Sequence, residues 1–286
     1  MAPERRPASH RAFGSVLLSR SSFLDAALIL AVPTVLIAVF ALPASVRETY
    51  VLAYTAPTLA TMFTSHFVHQ TQSHLLANLL GYGFVVPLTY LLCVLSGRRQ
   101  LFRVVFVSLL VSLPFALSAL NLLFIRPRVG YGFSGVVMGY FGFLPLALFG
   151  YFEQQVALDV DRHHSPILFF LGIATISVAV TSATAAGVLI AAAALVICGV
   201  YAKRLFGSVD IVGRLSSGLR ETTPGYAELG AVGVVVFLSY PFVAFPSNPI
   251  GDGTVVNLYT HLLGFALGFI STYSLRLMTG FGFDET

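Results

Sequence analysis

Residues 130–152 read GYGFSGVVMGYFGFLPLALFGYF, a glycine-rich loop carrying one serine, Ser134, that runs into an apolar stretch without a single charge. From Ser134 onward the stretch is as long as a helix must be to cross a bilayer core of ~30 Å, which takes ~20 apolar residues. The same signature recurs along the chain. Eight stretches carry it, at roughly 22–42, 74–95, 101–123, 134–152, 165–181, 183–202, 229–247 and 256–278. The 286 residues are 57% hydrophobic and 10% charged, with mean hydropathy +0.87, whereas a soluble domain carries about 25% charged residues. The fold class expected is therefore all-α: a polytopic membrane helix bundle of about eight transmembrane helices, with the lipid bilayer as its first partner.

The apolar region 165–201 is too long for one span, because ~37 residues of helix reach ~55 Å at 1.5 Å per residue. Thr181-Ser182-Ala183-Thr184 supplies a polar break, so two helices are expected there. The segment from Tyr50 to Ser73 is apolar too, but Pro57 and its His and Thr content point to a loop with short interfacial helices. Residues 1–21 form a polar N-terminal segment, 22–278 the membrane domain and 279–286 a C-terminal tail. Arg5, Arg6 and Arg11 precede an apolar run too long for a secretory h-region, so it is read as a retained first span.

Loop charges orient the bundle. With both termini in the cytoplasm, Arg5, Arg6, Arg11, Arg20, Arg98, Arg99, Arg103, Arg162, Lys203, Arg204, Arg214, Arg220 and Arg276 fall on that side, 13 of the 16 basic residues. Arg47, Arg126 and Arg128 fall outside. The positive-inside rule favours this orientation in a cell membrane, and the net charge of +4 is accounted for without nucleic acid. Cys93 and Cys198 lie in apolar stretches and read as buried thiols. His66, His69 and His74 have no accompanying glutamate and no His-Glu-x-x-His run, so neither a metal nor a cofactor is expected. Asp252 lies in a Gly-Asp-Gly turn, and His163 and His164 read as solvent-facing.

Three polar patches stand in these apolar surroundings. In the expected topology Ser134, His74 and His261 each lie near the start of a helix descending from the outer face, at similar depth. A lone serine in a membrane helix often bonds back to a carbonyl or joins two helices. Here Gly132 and Gly135 permit tight turning and close approach, and a helix N-terminus offers free N–H donors to an oxyanion. His261 shares a face with Gly264 and Gly268, while Gly135, Gly139 and Gly142 form a second small-residue stripe. Packing of those stripes would bring the imidazole to the Ser134 hydroxyl as a general base. His74 and Asn78 share a helix face and can either donate to an oxyanion, with the Ser134 backbone N–H, or bond between helices. His69 either supports the loop above them or sits at the interface.

The runs His69-Gln-Thr-Gln-Ser-His74-Leu-Leu-Ala-Asn78, Gly132-Phe-Ser134-Gly135-Val-Val-Met-Gly139 and His261-Leu-Leu-Gly264-Phe-Ala-Leu-Gly268, in this order, resemble those of the rhomboid family of intramembrane serine proteases. The resemblance covers about residues 20–278. It implies a six-helix core, so that the count of eight spans places two extra helices between the serine and histidine spans, and a Ser134–His261 dyad without a third acid. It further implies an oxyanion hole made with His74 and Asn78, an outward-facing site, and cleavage of transmembrane protein substrates. Two features depart from the family pattern. The chain has no Trp for the Trp-Arg pair that many relatives carry in the first outer loop, leaving Arg47 alone, and Met138 stands where many carry a tyrosine stacked on the histidine. Phe245, Pro246 and Pro249 are expected to form part of a lateral gate. Two further readings stay open: a catalytically inactive rhomboid-like protein that binds transmembrane segments, and a transporter, against which no inverted repeat is visible.

Overall fold

The computed structural model of the chain describes residues 13–124, 128–155, 165–181, 184–206, 224–251 and 254–279. Arg5, Arg6, Arg11, Arg126, Arg162, Arg214 and Arg220, the His163–His164 pair and the Asp252 turn lie outside the described residues, as do the terminal segments 1–12 and 280–286.

Every apolar stretch of the sequence becomes a helix. The described elements in chain order are α1 Phe13–Arg20, α2 Phe23–Phe40, α3 Ala44–Glu48, β1 Leu52–Ala53, α4 Leu59–Thr64, a 3-10 turn Ser65–Phe67, α5 Gln72–Leu95, α6 Arg99–Leu122 and β2 Val129–Gly130. There follow α7 Ser134–Gln155, α8 Pro166–Thr181, α9 Ala185–Phe206, α10 Tyr226–Ala244, β3 Ile250–Gly251, β4 Thr254–Val255 and α11 Leu258–Thr279. Six of these helices, α2, α5, α6, α7, α9 and α10, are long and apolar enough to cross a membrane, where the sequence suggested about eight spans. α8 has 16 residues. α11 has 22, diluted by Thr260, His261, Ser271, Thr272 and Ser274. α8 ends at Thr181 and α9 begins at Ala185, two helices where the length argument asks for two.

Local chemistry sets the helix starts. Ser22 caps α2 by accepting from the Leu24 N–H at 3.2 Å, and Thr71 caps α5 by accepting from the His74 N–H at 3.3 Å, satisfying donors that a helix leaves free at its first turn. Asn257 caps α11 by accepting from the Thr260 N–H at 3.1 Å. Gly225, at φ +98°, opens α10, and the Glu228 carboxylate accepts its N–H at 2.7 Å.

α7 is the central helix: 89% of its most apolar stretch is buried inside the protein, against 17% for the peripheral α2 and α9. Around it stand α5, α6, α10 and α11, with α11 packed most closely. Lipid is as apolar as a leucine side chain, so such pairs are held by close van der Waals contact rather than by hydrophobic burial. Phe106 stacks on Tyr140 at 5.2 Å, and Phe265 lies 5.5 Å from both Phe141 and Phe169. The last of these contacts ties α8 to α11, while α9 packs on α8. At the end of the bundle where α2 begins, Asp25 is wholly buried. It accepts from the Arg103 guanidinium at 2.5 Å and from the Tyr90 hydroxyl at 3.1 Å.

At the opposite end β1 pairs antiparallel with β2, Leu52 facing Gly130 and Ala53 facing Val129. The Gly132 N–H donates to the Ser65 carbonyl at 3.0 Å. These bonds hang the segment leading into Ser134 on the loop between α2 and α5.

Candidate active site

The α7–α11 seam is built from the two glycine stripes. A methyl group placed on Gly135 would stand 2.7 Å from the Thr260 side chain; on Gly142, 2.8 Å from the Phe269 nitrogen; on Gly264, 3.1 Å from the Gly135 carbonyl carbon; and on Gly268, 2.7 Å from that of Gly139. In the last three cases the obstacle is backbone, which cannot turn aside. Gly135, Gly139 and Gly142 on α7 therefore meet Gly264, Phe265 and Gly268 on α11 with nothing but hydrogen between them. The seam sets Gly135, the residue after Ser134, against Thr260, the residue before His261. Ser134 is half-buried, and its hydroxyl makes no hydrogen bond to another described residue, His261 included.

His261 is 7% exposed, and its Nδ1 lies 2.7 Å from the Ala244 carbonyl oxygen. Phe245 lies edge-on to the imidazole, 5.8 Å between centroids at 89°. With 1% of its surface exposed, Phe245 is a buried neighbour of His261.

His74 packs against the loop that leads into Ser134, 5.7 Å between its ring and that of Tyr131. Gly132, at φ +108°, lies against its imidazole edge, and a methyl there would stand 2.6 Å from Cε1 and 2.8 Å from Nε2. Gly132 is thus required twice, for a left-handed backbone and for room beneath the ring. Asn78, buried at 4% exposed, donates to the His74 carbonyl at 2.8 Å; its Oδ1 and the His74 Nδ1 have no partner among the described residues.

His69 is fully buried, its ring 4.9 Å from that of His74. Its carbonyl accepts from the Arg47 guanidinium, which also lies over the Phe40 ring at 4.6 Å. Arg47, the one arginine expected in this loop, thus clamps it from below. Burial, with the neighbouring His74 adding to it, holds the His69 imidazole at about 3, well under its ordinary 6.5.

Ser118, Asn121, Asn257 and Thr260 lie near the site and gave no signal in the sequence. Ser118 donates its proton to the Met62 carbonyl at 2.7 Å, so His66 must donate from Nε2 to the Ser118 hydroxyl, 3.1 Å away. Burial pushes His66 down to about 4, with backbone groups of Pro114 and Gly132 pulling the other way. Asn121 on α6 donates to Thr260 Oγ1 at 2.8 Å and accepts from the Asn257 amide at 2.8 Å, fixing the start of α11 one residue before His261. Among the described residues no group of His, Cys, Asp and Glu could hold a metal ion.

Compared with known proteins, the chain matches no family model, no curated protein and no solved structure.

Proposed function

We propose that the chain is a serine endopeptidase of rhomboid type that cleaves peptide bonds in or beside transmembrane segments of other membrane proteins. The observation that carries this reading is the glycine seam of α7 and α11, which packs the residue after Ser134 against the residue before His261, with a half-buried serine that has no hydrogen-bond partner among the described residues and a histidine with one nitrogen already engaged. In the bundle, α5, α6, α7, α10 and α11 with α2 would form the six-helix core, and α8 and α9 the two additions. The bias of basic residues would turn the site toward the outside of the cell membrane.

The reaction would begin with transfer of the Ser134 hydroxyl proton to His261 Nε2 as Oγ attacks the scissile carbonyl carbon. The resulting oxyanion would accept from the Ser134 backbone N–H, from the His74 ring and from the second Asn78 amide hydrogen. Protonation of the leaving amine by His261 releases the first product. His261 then deprotonates a water that hydrolyses the acyl ester on Ser134. The buried His69 and the Arg47 clamp would hold His74 over Gly132.

The reading is tested by cleavage of a fluorogenic membrane-spanning peptide with helix-destabilising residues at the cut, in detergent micelles. Wild type should cleave it and Ser134→Ala should not; equal residual cleavage by both would sink the assignment. The missing Ser134–His261 hydrogen bond favours a second reading, a non-catalytic relative that binds transmembrane segments. Such a protein would retain the peptide uncut.

A further inference from the structure

α10 stops where His261 needs an acceptor. Its last turn contains Pro241, the Phe245 N–H closes back on the Pro241 carbonyl at 2.8 Å, and Phe245 leaves the helix at φ −124°, ψ 67°. The last carbonyls of a helix find no partner within it. That of Ala244 finds His261 Nδ1, 17 residues further on, at 2.7 Å. A carbonyl oxygen can only accept, so Nδ1 must carry the hydrogen. A neutral imidazole has a single N–H, which leaves Nε2 without a hydrogen and with its lone pair available.

The ring is held on its other sides as well. Phe245 is wholly buried edge-on to it, so the imidazole cannot flip without displacing an aromatic side chain from the core. The backbone of the same turn is anchored through Thr260 and Asn257 to Asn121. Met138, one turn after Ser134, faces Gly264 rather than offering an aromatic ring. The end of α10 is the element that orients the base.

We infer that the Ala244 carbonyl and the Phe245 ring are positioning groups that hold His261 as its Nδ1–H tautomer, with Nε2 free to take the Ser134 proton. This rests on the proposed dyad. A carbonyl supplies the orienting and tautomer-selecting part of what a carboxylate does in a triad, without its negative charge, and in a serine protease triad the wrong tautomer alone costs ~10⁴-fold in rate. It follows that displacement of the α10 end disarms the base.

The test uses the full chain in detergent, labelled with ¹⁵N-histidine, the His261 signals being those absent from His261→Gln. Wild type should show a protonated Nδ1 and a bare Nε2. Phe245→Leu, which keeps bulk and loses the ring, should show mixed tautomers and react with a fluorophosphonate about tenfold more slowly, the equivalent of one orienting contact. Phe245→Tyr should restore both. An Nε2-protonated His261 in a wild type that still labels would overturn the inference and leave the dyad standing. Unchanged tautomer and rate in Phe245→Leu would remove the role of the ring. A wild type with the Nδ1–H tautomer that never labels would overturn the dyad, and the positioning role with it, while the Ala244 bond stood.

Discussion

Replacing Gly264 with alanine tests whether the α7–α11 seam sets the site. The added methyl would stand 3.0 Å from Met138 Cβ and 3.1 Å from the Gly135 carbonyl carbon, with that carbonyl's oxygen closer still. Carbon–carbon contacts settle at about 3.5–4.0 Å. Since the obstacle is backbone, the two helices must part by roughly 0.5–1 Å. Overpacking of this kind costs about 1–3 kcal/mol, and a misplacement of about 1 Å between reacting groups costs on the order of 10²-fold in rate. Gly264→Ala is therefore expected to lower the thermal unfolding midpoint in detergent and to slow fluorophosphonate labelling between ~10- and ~100-fold. Gly83→Ala is the control: nothing lies within 4 Å of a methyl at Gly83, and alanine there gains up to ~1 kcal/mol of helix propensity. A Gly264→Ala protein that labels and unfolds like wild type would show that the glycine seam does not set the spacing of α7 and α11.

Three further outcomes are expected. Arg47→Ala removes a charged hydrogen bond to the His69 carbonyl and the contact with Phe40; thermal unfolding should show a loss of about 1.5–3 kcal/mol, and a loss below 0.5 would mean the clamp is idle. His66 is neutral in the fold because its pKa lies near 4 against an ordinary 6.5. Its contribution is fully present above pH 6.5 and is lost as the pH falls toward 4, at up to ~1.4 kcal/mol per unit, so His66→Gln should flatten the acid limb of a stability–pH curve. Arg103→Leu strands the wholly buried Asp25 carboxylate and should destabilise by about 3–5 kcal/mol, a loss that double substitution with Asp25→Asn should partly reverse.

Much of the bundle is legible in the sequence because a bilayer imposes a length on apolar stretches, and length survives without any knowledge of contacts. That α8 and α9 are two helices follows from that argument together with the polar run after Thr181. The small-residue stripes announce the α7–α11 seam for the same reason: only glycines spaced by helical turns let backbones touch. What stays hidden depends on partners far apart in the chain. Two-residue strands have no periodicity, so the β1–β2 ladder that hangs the Ser134 loop on the first loop leaves no trace. Asn121 and Asn257 are 136 residues apart and carry no local signature. Phe245 is instructive. Its position before the last helix suggests a gate, while its burial against His261 is revealed only by the course of α10. The number of spans is also less definite in the structure than in the sequence, because α8 is short and α11 carries the polar residues of the site.

The most direct measurement is covalent labelling of the purified protein by a fluorophosphonate or a chloroisocoumarin, with wild type, Ser134→Ala and His261→Ala compared side by side and folding checked by circular dichroism. A Ser134–His261 dyad predicts labelling of wild type and none of either variant. Folded wild type that resists both reagents, or a Ser134→Ala protein that labels as well as wild type, would contradict it.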